Sequence, residues 1–360
     1  MNSKKKIGII GYGGRMGKYL IEAIEDRYFL RLGQRHIDNE YTVGDKEYMR
    51  VDIFDSQSLS RFAEGLDILV NCAGPSYKIG AAAAKAVYGT DTVYIDAFGG
   101  SAAERGIDAE KGTFILSAGS FPGFSGVLPI YMADRYFDRV ESLTMLSENN
   151  EESSYGAVYD LVMSSVDGFG KGGYMYSDGD IIKCTDTVSE YECFEEACGF
   201  ADYINDETIG AAEYIGAASA RWLNVQSTKE QSDVIMKITM DYLRSGSEEA
   251  LDKAVREAVG TRVCTENLYK IACDMTGEKN GKTKRCYCVF EFPDSYCIGA
   301  HMIAEIIAQT LAKKICKGVV WAYRFLEPMR TMYSLHKSGI ARNISLSFIE
   351  KEAEEEEGEL

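Results

Sequence analysis

The chain has few histidines and comparatively little positive charge, and both shortages narrow the functions open to it. Its 360 residues include 3 His, and 39 Lys and Arg stand against 56 Asp and Glu, for a formal net charge of −17 at pH 7. Such an acidic chain is a poor match for phosphate backbones or anionic lipid, so neither nucleic acid nor a membrane surface is an expected partner. A local arginine cluster can still bind a small anion.

Long apolar stretches are also missing. No run of about 18 apolar residues occurs, which argues against a membrane-spanning helix. Lys4, Lys5 and Lys6 precede a short strand pattern and glycines rather than the apolar core of a signal peptide. We therefore expect a cytoplasmic protein, and its 10 cysteines, spread over a long chain, are expected to be reduced thiols.

The cysteines and histidines do not follow a metal-binding spacing. Cys286 and Cys288 lie on one face of a predicted strand, but no CxxC partner accompanies them and the chain has only 3 His. Their thiols are interpreted as small buried apolar groups. No metal site is predicted.

What the chain does have is a strand, a glycine-rich loop and a helix, in that order, within its first ~25 residues. In the segment KIGIIGYGGRMGKYLIEAI, glycines recur at every third position of the loop, and one more glycine lies between them. Backbone amides in such a loop can approach a pyrophosphate at a helix N-terminus. The predicted phosphate-binding residues are Gly11, Gly13, Gly14, Arg15, Met16 and Gly17.

The fold class follows from the alternation of strands and helices over the first ~120 residues. Apolar runs predict strands at 28–33, 48–53, 67–72, 92–97 and 113–117, after the opening strand. The pattern predicts an α/β protein whose residues 1–122 form a Rossmann domain, a doubly wound parallel sheet of five to six strands. Ser56 or Ser58 is expected to cap the helix that follows the third strand.

A second domain is predicted to begin where Phe121-Pro122-Gly123 breaks the pattern. Residues 123–318 are expected to form an α+β domain for substrate binding and dimerisation. Its antiparallel sheet is indicated by a hairpin, 268–275 and 284–292, around the turn residues Asn280-Gly281.

The C-terminal part of the chain is predicted to form a helix, a return segment and a tail. A long helix is predicted from about Ala300 to Lys317, and residues 319–345 are expected to return to the first domain. Residues 346–360 are expected to be an acidic disordered tail, since the last ten contain six Glu against one Lys.

Cofactor preference depends on the end of strand two, which reads Gly33-Gln34-Arg35-His36. An acidic residue at this position usually binds the ribose of NAD, whereas Arg accepts the 2′-phosphate of NADP. Arg35 therefore favours NADP, with Arg15 as a possible second contact. In the alternative interpretation Arg35 is a surface cation and Asp38 binds the ribose of NAD. Asp52, near the end of strand three, completes this part of the predicted cofactor site.

The other end of the cofactor is expected after the buried strand DILVNC. Ligands of open α/β sheets bind outside the carboxyl ends of the strands, near the switch in strand order. The predicted nicotinamide-binding residues are Asn71, Ala73, Gly74 and Pro75. A tight Gly-Pro turn without a binding role is the alternative.

Four motifs in this order resemble the saccharopine dehydrogenase-like oxidoreductases. These are GYGGRMG, VNCAGPSY, VYIDAFGG and SAGSFPGFSGVLP, and the resemblance covers roughly residues 5 to 130. It implies a Rossmann domain, a nicotinamide cofactor and reduction of an imine, a carbon–nitrogen adduct or a related double bond. The glycine loop also looks like that of dihydrodipicolinate reductase, but the paired-His and Lys motif of that enzyme is not found.

Three residues are candidates for catalysis. Tyr77 follows the Gly-Pro turn, where saccharopine-forming relatives carry a tyrosine one residue closer to the proline. Asp96 resembles the aspartate of the Tyr-x-Asp motif of that family, with capping of the next segment as the alternative. His301, expected at the start of the long helix, titrates in the range suited to acid–base work but is also compatible with a structural role.

The sequence therefore predicts an NADP-dependent oxidoreductase acting on a small-molecule substrate, with NAD as a possible cofactor. An NADP-binding sensor without catalysis is one alternative, and an enoyl reductase is another. A homodimer is expected through the antiparallel sheet of the second domain, because an exposed sheet needs covering.

Overall fold

The computed structural model describes residues 4–261, 267–313 and 315–350, which form two sheets with helices packed on them. The strands of the first sheet are β1 (Lys6–Ile10), β2 (Phe29–Gln34), β3 (Tyr41–Val43), β4 (Lys46–Arg50), β5 (Ile68–Asn71), β6 (Val93–Asp96), β7 (Thr113–Leu116) and β16 (Gly318–Trp321). The helices between them are α1 (Arg15–Ile24), α2 (Ser56–Ala63), α3 (Ser76–Ala84) and α4 (Gly100–Arg105).

The first sheet has the order β16-β7-β6-β5-β1-β2-β4-β3. Its strands are parallel except for β3, which pairs antiparallel with β4. The order reverses at β1, where the chain moves first toward β2 and later toward β5. This switch point places the loops after β1 and β5 side by side at the carboxyl edge, as in dinucleotide-binding sheets.

The remaining elements form a second unit around a nine-stranded sheet. Its strands are β8 (Arg139–Asn150), β9 (Gly170–Gly172), β10 (Tyr174–Ser177), β11 (Asp180–Lys183), β12 (Gly199–Asn205), β13 (Ser219–Gln226), β14 (Leu268–Lys279), β15 (Lys282–Phe292) and β17 (Asn343–Glu350). The helices are α5 (Phe124–Tyr136), α6 (Tyr155–Val166), α7 (Asp206–Ile215), α8 (Lys229–Ser245), α9 (Glu248–Thr261), α10 (Ser295–Ala312), α11 (Ala322–Phe325) and α12 (Pro328–Ser338).

In this sheet the order is β11-β10-β13-β8-β14-β15-β17, and β12 joins β13 to β9. The pairs are antiparallel except β8 with β13. The predicted hairpin is β14–β15, and both of its turn residues have positive φ, 53° at Asn280 and 74° at Gly281. The predicted α/β class, with a Rossmann sheet and a second sheet of mainly antiparallel strands, is confirmed.

Buried apolar side chains cover both faces of the first sheet. One face packs against α1, α5 and α10 and continues without a break into the second sheet. The other face carries α2, α3 and α4. Because α10 packs on α1, the second unit lies against the Rossmann sheet instead of being joined to it only by a linker.

Several sequence predictions differ from the structure. The first sheet has eight strands rather than five to six, because a short hairpin adds β3 and the returning chain adds β16. Asp55, not Ser56 or Ser58, caps α2, since its carboxylate accepts hydrogen bonds from the amides of Gln57 and Ser58. A side-chain acceptor at that position satisfies amides that the helix leaves without partners.

The long helix also begins and ends earlier than predicted. Asp294 caps α10 by accepting a hydrogen bond from the amide of Cys297, at 2.8 Å, so His301 lies in the second turn rather than at the start. The tail prediction was wrong at its beginning, because residues 346–350 belong to β17, which pairs along β15. Residues 351–360 lie outside the described ranges.

Candidate active site

The loop after β1 depends on glycine because backbone from two sides crowds it. Gly11 has φ of +81°, and its amide donates a hydrogen bond to the Gly33 carbonyl at 2.9 Å. A Cβ at Gly11 would lie 2.7 Å from the Ala73 nitrogen, and one at Gly17 would lie 2.6 Å from the Gly11 oxygen. Any side chain at either position would therefore separate the β1 loop from α1 or from the β5 loop.

The start of α1 is left open to an anion. Gly14 is the N-cap residue, no side chain of the described ranges caps the helix, and the first turn contains no acidic residue. A Cβ at Gly13 would lie 2.5 Å from the Gln34 Oε1 atom, so this glycine also brings the loop close to the end of β2. The free amides and the positive end of the helix dipole suit a phosphate group, and the glycine cradle fits a dinucleotide.

Arg35 follows β2 directly and is exposed. Among the described residues no hydrogen bond or ion pair engages its guanidinium, so the charge is available to a ligand. A second exposed arginine, Arg50, ends β4 and pairs in register with Gln34. Asp38, the alternative ribose ligand, is exposed as well, so both interpretations of this edge stay open.

The Asp52 carboxylate is hydrogen-bonded within its own loop rather than left free for a ligand. Its Oδ1 atom accepts a hydrogen bond from the Phe54 amide at 3.0 Å, and its own amide donates to the Ser58 hydroxyl at 3.0 Å. These bonds shape the loop that follows β4. Asp52 therefore supports the edge of the predicted adenosine site.

Two residues of the glycine loop face the second unit. Arg15 donates a hydrogen bond to the Glu152 carbonyl at 3.0 Å, and its guanidinium lies 4.9 Å from the centre of the Tyr296 ring. Met16 packs against α10, where a Cβ at Gly299 would lie 2.8 Å from the Met16 Cε atom. Both side chains thus join the phosphate loop to the second unit.

The turn after β5 is covered by α6. Pro75 is the N-cap of α3, and Ala73 faces Gly11 across the switch point. A Cβ at Gly74 would lie 3.3 Å from the Gly156 Cα atom, so two glycines allow the backbones to meet. The part of the turn predicted to hold nicotinamide is therefore formed against the first turn of α6.

Sequence reasoning missed Asp160, which caps α3 from the second unit. Its Oδ2 atom accepts a hydrogen bond from the Ser76 amide at 2.9 Å, and its Oδ1 atom accepts one from the Tyr77 amide at 3.2 Å. Burial raises the pKa of this carboxyl to about 7, although the two amides oppose the rise. The only signal in the sequence was an aspartate within the apolar stretch of α6.

Asn71 and Asp96 form a buried pair at the carboxyl ends of β5 and β6. The Asn71 Nδ2 atom donates to the Asp96 Oδ2 atom at 2.9 Å, and the Ala73 amide donates to the Asn71 Oδ1 atom at 3.2 Å. Asp96 also accepts from the Tyr94 hydroxyl at 2.6 Å and from the Phe98 amide at 3.0 Å. Both side chains are 0% exposed. This arrangement matches the interpretation that Asp96 caps the segment after β6. Asn71 stabilises the turn after β5 through the Ala73 amide.

The three predicted catalytic residues do not converge. Tyr77, at the start of α3, adjoins Ser76, whose hydroxyl donates to Asp96 at 3.3 Å. The Tyr77 hydroxyl is buried and has no hydrogen-bond partner among the described residues, and burial raises its pKa. His301 lies on α10, which packs on α1 across the sheet from α3, and burial lowers its pKa.

Aromatic rings from both units also meet at the carboxyl edge, which no local pattern predicted. Phe121 stacks on Trp222 with ring centres 4.1 Å apart, and Phe98 lies 5.6 Å from Phe169. Trp321 stacks on Phe169 at 6.3 Å. These rings form an apolar wall between the two sheets at that edge.

Glu207 is a second buried carboxyl that sequence reasoning missed. Its Oε1 atom accepts a hydrogen bond from the Gly123 amide at 2.6 Å, and its Oε2 atom accepts one from the Ser125 hydroxyl. It therefore caps α5 where the chain leaves the Rossmann domain. Burial raises the pKa of Glu207 to about 8, and the two hydrogen bonds partly oppose that rise.

Two further observations apply to the described ranges only. No helix there combines the length and the apolar character that crossing a membrane requires. Nor do these residues contain a group of three or more His, Cys, Asp or Glu side chains arranged to hold a metal ion.

The fold and the glycine loop together define a two-unit protein with an N-terminal Rossmann domain. It shares its fold with apo histidine-tagged saccharopine dehydrogenase (L-Glu forming) from Saccharomyces cerevisiae, at a TM-score of 0.63 and 13% sequence identity, over 96% of this chain and 100% of that chain. The resemblance predicted from the four motifs is thus confirmed for the fold.

Two other solved structures match over most of the chain with lower scores. C. glutamicum DAP dehydrogenase in complex with DAP has a TM-score of 0.47 and 11% identity, over 94% of this chain and 100% of that chain. An engineered D-amino acid dehydrogenase bound to NADP+ has a TM-score of 0.47 and 12% identity, over 91% and 96%. No family model matches the chain, and a search of curated proteins finds no significant match.

Proposed function

We propose that this chain is an NADP-dependent oxidoreductase of the saccharopine dehydrogenase-like type, which transfers hydride to a small imine, an amino-acid or keto-acid adduct, or a related double bond. One observation carries the proposal: among the described residues the start of α1 has no side-chain cap, and the exposed Arg35, which no hydrogen bond or ion pair engages there, follows the strand end that Gly13 approaches. The first feature suits a pyrophosphate and the second suits a 2′-phosphate. The shared fold with a dehydrogenase supports the same assignment.

Each part of the site has a role in this proposal. The amides at the start of α1 hold the pyrophosphate, Arg35 and Arg50 face the adenosine end, and Ala73 and Gly74 face the nicotinamide end. The cofactor, when bound, supplies the hydride. The chain's own residues bind and orient the two reactants, and the aromatic wall keeps water from the reacting carbon.

The second unit completes the site in the same proposal. Arg15 with Glu152, and Asp160 with Ser76, tie the second unit to the loops after β1 and β5, which lie side by side at the carboxyl edge. The segment between Glu152 and Gly156 therefore passes over the cofactor cleft. We infer that binding and release require this segment to move.

The test is a comparison of cofactors followed by a search for turnover. Fluorescence titration should show NADPH binding more tightly than NADH, and loss of NADPH absorbance should follow addition of a keto acid together with an amine. A preference for NADH would contradict the assignment of Arg35. Tight NADPH binding without oxidation across a broad panel of imines would contradict the enzymatic proposal.

That last result would favour a second candidate, an NADP-binding sensor without catalysis. The observation that supports a sensor is that Asp160 and Gly156, in the second unit, contact the turn predicted to hold nicotinamide. In a sensor, cofactor binding would change this contact and with it the affinity for a partner. Protease sensitivity of the 152–156 segment with and without NADP would report such a change.

We further infer that two copies associate through the second sheet. Strand β17 is an edge strand, and Ile344, Leu346 and Phe348 on one of its faces are 40% to 46% exposed. An edge that no described strand pairs with, and that carries exposed apolar side chains, is a ready surface for another strand. Light scattering should give the mass of a dimer for the wild type and of a monomer for Phe348→Lys, and a monomeric wild type would exclude this association.

A further inference from the structure

The side chain of Gln34 lies against the glycine loop, at the point where β2 ends. A Cβ placed at Gly13 would lie 2.5 Å from the Gln34 Oε1 atom and 3.2 Å from its Cδ and Nε2 atoms. Gln34 is half-buried, and among the described residues its side-chain amide makes no hydrogen bond. The amide is therefore next to the predicted phosphate site and still has its donors and acceptor free.

Strand alternation explains why Gln34, rather than Arg35, reaches this loop. Leu32 packs in the core that contains α1, and side chains two residues apart in a strand lie on the same face. Gln34 therefore lies on the α1 face of the sheet. Its partner in register on β4 is Arg50, which is two residues from Tyr48, and Tyr48 packs against the same core. An amide and a guanidinium thus share this face at the carboxyl ends of β2 and β4.

Glu40 is a carboxylate of the same edge, but its neighbours already engage it. Its Oε1 atom accepts a hydrogen bond from the Arg50 amide at 3.0 Å, and its Oε2 atom accepts one from the Arg61 guanidinium at 3.0 Å. The hydrogen bond with Arg61 lowers the pKa of Glu40. The residue at the strand end itself, where dinucleotide folds commonly carry an acidic ribose ligand, is a neutral amide.

We propose that Gln34 is a specificity-determining residue, in contact with the adenosine ribose of the cofactor beside Gly13. This rests on the proposed function. A carboxylate at the end of β2 binds the 2′-hydroxyl of NAD and repels a 2′-phosphate, whereas an amide is uncharged and has both donors and an acceptor. The Gln34 Nε2 group donates to the 2′-phosphate of NADP, and its Oε1 atom accepts from the 2′-hydroxyl of NAD. The chain consequently admits both cofactors, and Arg35 adds affinity for NADP alone.

The test titrates the full chain and two variants with NADPH and with NADH, by cofactor fluorescence. Gln34→Glu should weaken NADPH binding about 10-fold or more, because a carboxylate then faces the 2′-phosphate, and NADH binding should stay equal or tighten. Gln34→Met removes the donors and the acceptor at nearly the same volume. It should weaken NADPH binding about 10-fold and NADH binding less, since a hydrogen bond to a charged group contributes more than a neutral one.

Gln226→Glu is the matched control. Gln226 is the last residue of β13 in the second sheet, and its Oε1 atom lies 3.0 Å from where a Cβ at Gly199 would be. The control therefore places the same charge at a strand end beside a glycine, but away from the phosphate loop. It should alter neither the NADPH affinity nor the NADH affinity.

The two variants test separate parts of the proposal. Wild-type affinity of Gln34→Met for both cofactors would overturn the contact, and an unchanged ratio of the two affinities in Gln34→Glu would overturn the role in specificity. Thermal unfolding verifies that each variant is folded, and one that failed to fold would leave the other to decide. Failure of the wild type to bind either dinucleotide would instead count against the proposed function.

Discussion

The Asp160 carboxylate, on α6, accepts a hydrogen bond from the Ser76 amide at the start of α3, 2.9 Å away. One side chain of the second unit thereby caps a helix of the Rossmann sheet, next to the turn at Gly74. Because this carboxyl is buried, its pKa is raised to about 7. The contact between the units is thus linked to pH in the physiological range.

Asp160→Asn should make stability less dependent on pH. A carboxyl whose folded-state pKa is raised contributes stability that is present below its ordinary pKa and lost as pH rises through about 7. Between pH 5 and pH 8 the wild type should lose about 2 to 3 kcal/mol through this group, and the variant should not. Urea unfolding at both pH values measures the difference.

Asp38→Asn is the control for this experiment, because Asp38 is exposed and should leave the pH dependence unchanged. If Asp160→Asn retained the pH dependence of the wild type, Asp160 would not be the group that links the contact to pH.

Glu207→Gln should be tolerated near pH 7, unlike Glu207→Ala. The pKa of Glu207 is raised to about 8, so the carboxyl is mostly protonated at pH 7, and glutamine can preserve hydrogen bonds to Gly123 and Ser125. Alanine leaves a buried amide and hydroxyl without partners, at about 2 to 4 kcal/mol. Thermal unfolding should rank the two variants in this order.

Raising the pH provides a second check on Glu207. The contribution of the wild-type carboxyl is lost as pH passes about 8, so Glu207→Gln should become more stable than the wild type at alkaline pH. Equal pH dependence of the two proteins would show that Glu207 is ionised throughout.

Gly11→Ala should lower the free energy of unfolding by more than the strain of its positive φ alone would. Gly11 and Gly89 have similar φ values, +81° and +74°, but a Cβ at Gly89 meets nothing within 4 Å. Gly89→Ala should therefore cost only about 1 kcal/mol for its left-handed backbone. Gly11→Ala should cost at least about 2 kcal/mol and weaken NADPH binding, because its Cβ meets Ala73.

Urea unfolding and NADPH titration of this pair separate strain from crowding. Equal losses for the two variants would mean that the close approach of Gly11 to Ala73 is unimportant.

Arg35→Ala should weaken NADPH binding about 10- to 100-fold and leave NADH binding nearly unchanged, because only NADPH carries the 2′-phosphate. Lys183→Ala is the matched control. It removes one positive charge from β11, a strand of the second sheet, and should alter neither the NADPH affinity nor the NADH affinity. Fluorescence titration of both variants with both cofactors gives the four constants. Parallel losses for NADPH and NADH in Arg35→Ala would assign that residue to the fold instead.

Short-range patterns account for what the sequence could reveal of the site. The glycine loop, the buried strand before Gly74 and the turn at Asn280-Gly281 each depend on neighbours within a few residues, so their residue types signal the structure directly. The N-cap residues of α2 and α10 were harder to predict, since several polar residues near the start of each helix could occupy that one position. The aromatic wall had no local signal, because its rings come from segments on different units.

Side-chain roles that depend on burial also could not be predicted from the sequence. Asp96 and His301 were candidates because of residue type, but the structure surrounds Asp96 with donors and places His301 on the other side of the sheet from Tyr77. Asp160 and Glu207 became apparent only from what surrounds them. A residue type limits the chemistry of a side chain, whereas its solvation and partners select among the possibilities.

By itself the sequence determined the Rossmann half, the glycine cradle and the family of folds, because alternating apolar runs and glycine spacing act locally. Only the tertiary structure decided that β16 completes the first sheet, that β17 replaces the start of the predicted tail, and that Asp160 joins the two units. Those contacts link residues far apart in the chain, and the burial that creates them exists only after the chain has folded.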